Sequence, residues 1–117
     1  METAPLLDEY EIAPMLASER NYVLDSWMRS SRWRRDSIMR CVERGQVLVC
    51  RVPGDDYVMG WLCTVGTSAA FGVVREGYRE LGVMRALWER AGKPITVMPP
   101  TTGISWSVLR RLQRRAE

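Results

Sequence analysis

The 117-residue chain predicts an α/β fold (α+β in looser terms), a mixed β-sheet flanked by helices, on three observations. Two stretches with helical spacing of apolar residues precede residue 46. Three strand-like runs separated by turn residues then fill 46–75. A further helical stretch, a short apolar run and a last helix follow. The order is strand, helix, helix, a meander of three strands, helix, strand, helix, which calls for a sheet covered by helices. The length suits one core, so 1–117 is read as a single domain.

Each element has its own signal. Tyr10–Ala13 is a short strand before Pro14. Ser18 is placed to cap a helix running to about Ser30, with Val23/Trp27 and Leu24/Met28 as i,i+4 pairs. Arg29–Arg35 interrupts the apolar pattern and is a polar loop. Asp36 is the expected N-cap of a second helix with Ile38, Cys41 and Val42 inward, and Gly45 its C-terminal stop. Gln46–Val52 and Tyr57–Val65 flank the turn Pro53-Gly54-Asp55-Asp56 and make a hairpin. Gly66 and Thr67 allow a reversal into Ser68–Arg75, where Gly72 marks a bulge or a close approach. A helix with Val83/Leu87 and Met84/Trp88 pairs runs to about Ala91, before Gly92 and Pro94. Ile95–Met98 is a short strand. Ser105 caps a last helix whose outward Arg110, Arg111, Arg114 and Arg115 suit the helix dipole.

Composition narrows the function classes. Apolar residues are 46% and charged residues 26% of the chain, ordinary values for a globular protein. No apolar run approaches the roughly 20 residues of a membrane helix. The opening METAPLLDEYEI is acidic and lacks a long apolar stretch, so no secretory leader is expected and cytoplasmic residence is. Cys41, Cys50 and Cys63 stand singly among apolar neighbours, as buried free thiols do. There is no histidine, which disfavours a zinc site and excludes histidine-based triads. Charge is uneven: residues 1–28 carry six acids and one base, residues 29–117 sixteen bases and eight acids, and sixteen of the seventeen bases are arginine. Arginine makes planar, bidentate contacts to phosphate and carboxylate.

The strongest local signal is Arg79-Glu80-Leu81-Gly82-Val83-Met84-Arg85, between a strand and a helix. Free N–H groups at a helix start, with the helix dipole behind them, attract anions. A glycine lets a diphosphate approach without meeting a Cβ. Arg79 and Arg85 add charge, and a bulge near Gly72–Val74 would free backbone groups at Val73 and Val74 for an amide-rich ligand arm. A second cluster joins Trp27, Arg29, Arg32, Trp33, Arg34 and Arg35, where aromatics interleaved with arginines suit a nucleic acid or acidic partner. Trp61 and Trp106 fit a core better than a site.

The pattern strand–[Arg/Gln]xxGx[Gly/Ala]–helix at 79–84 resembles the acetyl-CoA motif of the GNAT N-acetyltransferases. The element order resembles that superfamily too, in a compact, truncated version. Trp27-Met28-Arg29-Ser30, Met59-Gly60-Trp61-Leu62 and Tyr78-Arg79-Glu80-Leu81-Gly82-Val83 are similar to segments of small GNAT-like proteins of phage and prophage genomes. The resemblance implies acetyl transfer from acetyl-CoA to an amine, with Val73, Val74 and Arg79–Arg85 on the coenzyme A side and Trp27, Arg32 and Trp33 on the substrate side. It departs at Met84, where the family has Gly or Ala and where a long side chain would crowd the diphosphate. No Glu stands on Ala69–Val74 and no Tyr follows Met98, the family's frequent base and acid. Glu76 and Ser105 are the remaining candidates for proton transfer. Two alternatives come from other classes: a non-catalytic GNAT-fold module in a phage particle or against a host protein, and a nucleic-acid-binding or DNA-modifying phage protein using segment 29–35.

Overall fold

The computed structural model describes residues 10–52, 57–78 and 82–93, and the backbone of 96–97. The turn at 53–56, the residues Arg79, Glu80 and Leu81, and the helix expected from Ser105, with Trp106, lie outside the described residues.

Strand β1 (Glu11–Pro14) leads through a single 3-10 turn (Ala17–Glu19) into α1 (Arg20–Ser30), then α2 (Arg35–Arg44). Strands β2 (Gln46–Val52), β3 (Tyr57–Val65) and β4 (Ser68–Val74) follow, then a 3-10 turn (Glu76–Tyr78), α3 (Val83–Arg90) and β5 (Thr96–Val97). The five strands lie side by side in sequence order. The first four are antiparallel, and β5, delivered by the α3 crossover, pairs parallel to β4 at Ser68–Thr96 and Ala69–Val97. The mixed α+β architecture expected from the sequence is the one observed. Pro14 sits in the edge strand, where a missing N–H is tolerated.

Both faces of the sheet are covered, which is why β2–β4 read as nearly unbroken apolar runs. Alternation sends Val47 and Val49 to one face, with Trp61 and Phe71, against Val23, Trp27, Ile38 and Val42 of α1 and α2. Leu48 and Cys50 point the other way, with Leu62, against Val83, Met84, Leu87 and Trp88 of α3.

Local details differ from the sequence expectations for physical reasons. Ser18 is exposed and caps nothing; instead the buried Glu19 carboxylate accepts from the Leu16 N–H at 2.8 Å. Arg34 holds the N-cap position of α2, and Asp36 lies in the first turn, where its charge suits the dipole. Gly45 ends α2 with its N–H on the Cys41 carbonyl at 2.8 Å, but in extended rather than left-handed backbone. What demands glycine there is space: a Cβ would lie 2.2 Å from the Thr64 carbonyl oxygen.

The bulge expected near Gly72–Val74 falls earlier. The β3–β4 register shifts between Cys63 and Thr64, so Ala70 is the extra residue and shares a face with Phe71, while Gly72 pairs regularly with Leu62. Gly72 is instead a close approach by the helix above it. A Cβ at Gly72 would meet the Met84 methyl at 2.8 Å, and one at Gly60 would meet Val83 at 3.1 Å. Two bare strand positions thus let the first turn of α3 sit tightly on the sheet near the end of β4.

Candidate functional site

That packing decides the geometry of the phosphate-turn candidate. The 3-10 turn after β4 is closed by the Tyr78 N–H on the Arg75 carbonyl at 2.9 Å. Gly82 then takes φ 81°, ψ 14°, and its carbonyl receives the first helical bond, from Ala86 at 3.0 Å. The N–H groups of Val83, Met84 and Arg85 precede that bond and have no partner within the helix. Gly82 is exposed, and no described residue lies within 4 Å of where its Cβ would be. Its left-handed backbone alone favours glycine, since another residue costs about 1–2 kcal/mol in that conformation.

The two side chains after Gly82 turn inward. Val83 is 1% exposed and Met84 8%, so both offer a ligand only backbone. The crowding of a diphosphate by Met84 expected from the sequence is corrected here: its side chain fills the space over Gly72. Arg85 is exposed beside the turn, and Glu76 is exposed on the preceding one. Val73 and Val74 are half-buried at the end of β4, past the two residues that pair with β5; Val73 packs towards α1 and α2 and Val74 towards α3.

The substrate-side trio separates. Trp27 is fully buried, stacked on Phe71 with ring centroids 5.5 Å apart and tilted against Trp61 and Trp33 at 5.3 Å. It presents no surface to a ligand, which corrects its assignment to the substrate side. Trp33 is half-buried against the same cluster. Arg32, Arg34 and Arg35 are exposed at the junction of the two helices covering the face opposite α3. The α3 turn and the basic loop therefore serve different sides of the sheet.

A third group lies outside both clusters singled out in the sequence. Arg51 occupies an inward position of β2, opposite Glu11 of β1. Its Nε donates to Glu19 Oε2 at 2.6 Å, one Nη to Glu19 Oε1 at 3.0 Å and to the Pro14 carbonyl at 3.1 Å, and the other to Glu11. Arg51 is 6% and Glu19 4% exposed. Burial pushes the Glu19 pKa up, but the Arg51 hydrogen bond, the Leu16 N–H and the Arg51 charge outweigh it and hold the carboxyl below its ordinary value. Nearby, Arg75 lies between the rings of Tyr22 and Tyr57, 4.3 and 4.4 Å from their centroids, with its Nε–H on the Val58 carbonyl. The sequence signal was an arginine inside the apolar run QVLVCRV, since an inward charge requires a buried partner.

The cysteines behave as the sequence suggests. Burial pushes the Cys50 and Cys63 thiols up to about 12 and also raises half-buried Cys41, so none is a ready nucleophile. Among the described residues no three metal-ligating side chains come together, and no described helix is long and apolar enough to cross a membrane. Comparison with protein-family models, with curated proteins and with solved structures finds no match in any of the three.

Proposed function

We propose that this chain is a GNAT-like N-acetyltransferase of the cytoplasm that moves an acetyl group from acetyl-CoA to an amine. One observation carries the reading. The exposed Gly82 turn and the start of α3 stand at the end of β4, and α3 returns the chain to a strand parallel to β4 whose described pairing is at that strand's beginning. Donors, open space and a helix dipole meet where the two parallel strands lead.

The residues fit such a ligand through backbone more than side chain. The N–H groups of Val83, Met84 and Arg85 would take phosphate oxygens, with Arg85 and Arg79 adding charge. A strand N–H near Val73 would polarise the thioester carbonyl. Acetyl-CoA would supply the activated acyl group. Acetyl-CoA should raise the melting temperature by mass action. Dephospho-CoA should keep much of the shift and pantetheine lose most of it. Arg85→Ala should weaken binding by about tenfold or more, as loss of a charged hydrogen bond does. No shift at millimolar acetyl-CoA removes the reading. Gly82→Val is a poor probe, because its left-handed backbone makes the variant strained whether or not a ligand binds.

Proton removal follows a simple expectation. Glu19 is held ionised by Arg51 with a lowered pKa, so it is a weak base at neutral pH. The rate should therefore climb with pH until the acceptor amine itself is deprotonated, without a plateau near neutrality. A plateau at pH 6 to 7 abolished by one carboxylate substitution would contradict this. A second reading, a module that binds coenzyme A without turnover, draws on that same missing base; firm binding with no turnover across a panel of amines would select it.

A further inference from the structure

We propose that Arg75 is the binding group of a small pocket for a carboxylate-bearing ligand, on the sheet face opposite α3. The cavity holds about 180 Å³ and is lined by Ser18, Glu19, Tyr22, Val58 and Arg75. That is below the usual range for drug-sized ligands, so it suits an acid of a few carbons rather than a nucleotide.

Arg75 is fixed in place by three different contacts. Its backbone N–H bonds the carbonyl of Met59, the bulged residue of β3, at 2.8 Å. Its Nε–H is on the Val58 carbonyl, and tyrosine rings lie near the guanidinium on α1 and β3. Tyr78 supports the Tyr57 ring at 6.1 Å. These contacts leave both Nη groups without an acceptor among the described residues. A half-buried arginine normally has a carboxylate, and the one that shares this pocket is spent: both Glu19 oxygens are engaged by Arg51, and one also by the Leu16 N–H. A fixed guanidinium fork whose outer edge meets no acceptor among the described residues matches the two oxygens of a carboxylate. Ser18, Tyr22 and the apolar Val58 line the remaining wall, which suits a short carbon chain. Burial raises the Tyr22 pKa, so its phenol stays a proton donor at neutral pH.

On the acyl-transfer reading, on which this one step rests, the pocket holds the acid end of the acceptor. The test separates the two. Sodium butyrate is titrated into the ¹⁵N-labelled full chain at constant ionic strength, without coenzyme A, following the Arg75 Nε–H resonance. Saturable shifts at Arg75 and Tyr22 are expected, with none from 1-butanol. Arg75→Gln should weaken butyrate by about tenfold or more. Tyr57→Leu keeps the charge, removes one ring of the clamp, and should weaken it about threefold; it decides the matter if Arg75→Gln does not fold. Unsaturable shifts, equal affinity in both variants, or inorganic phosphate binding more tightly than butyrate would overturn the assignment. With acetyl-CoA present, 4-aminobutyrate should be acetylated in preference to butylamine. Butyrate binding without any turnover leaves the pocket standing and removes the transferase reading.

Discussion

Arg51→Met should cost about 3–5 kcal/mol of stability at pH 7, because it leaves the buried Glu19 carboxylate without its cation. The cost should depend on pH in a direction that the wild type does not share. In the wild type the Glu19 pKa is lowered, so its stabilisation is fully present above the unfolded value of about 4.3 and is lost as pH falls through the folded value. Without Arg51 the desolvated carboxyl has its pKa raised instead, and stability is lost as pH climbs above that same unfolded value. Urea unfolding at pH 4 and pH 7 should therefore show the two proteins diverging as pH rises. The double variant Glu19→Leu, Arg51→Met should recover most of the loss. An apolar pair of similar volume replaces the ion pair, Glu11 is exposed enough to hydrate alone, and Leu16 can bond water. Parallel pH profiles, or a double variant weaker than the single one, would mean that the pair is not what ties β1 and the 3-10 turn to β2.

Gly45→Ala is the second large effect, about 3 kcal/mol or more, and its origin is steric rather than conformational. Helix α2 passes into β2 without a loop, so the residue at the junction touches the neighbouring strand. An added methyl would stand 2.2 Å from the Thr64 carbonyl oxygen and 2.9 Å from both the Cys41 carbonyl oxygen and a Val65 methyl. Two of these are backbone atoms and cannot rotate away, so either the end of α2 or the end of β3 must move. Two other glycines calibrate the measurement. Gly66 has φ 62° and open space, so Gly66→Ala should cost about 1–2 kcal/mol from backbone strain alone. Gly77 has open space and no positive φ, and Gly77→Ala should change little. The order Gly45, Gly66, Gly77 in urea midpoints is the expected result; a Gly45→Ala loss no larger than that at Gly66 would show that the junction yields more easily than its packing implies.

Of the candidate site, the part legible in the sequence is the part made by chain order. A glycine between β4 and α3, arginines around it and apolar pairs at 83/87 and 84/88 all follow from local pattern. The orientation of neighbouring side chains does not. Met84 could stand beside a ligand or under the helix, and its placement depends on Gly72, twelve residues earlier and bare on the face that Met84 covers. Trp27 sits among arginines in sequence but among Trp61 and Phe71 in space. The cluster of Tyr22, Tyr57 and Arg75 gathers α1, β3 and the end of β4, with no local spacing to announce it.

The amino-acid sequence by itself determined the kind and order of the described helices and strands, because helix and strand periods, turn glycines and prolines act within a few residues. It also determined that β2–β4 would be covered on both faces, since their apolar runs leave no polar side to meet water. Tertiary structure alone decided the register of the strands, the position of the bulges, and which charges are buried. Those depend on cross-strand neighbours: Arg51 is tolerable only because β1 and the turn before α1 bring Glu11 and Glu19 to it, and among the described residues Glu19, engaged by Arg51, is not left for Arg75.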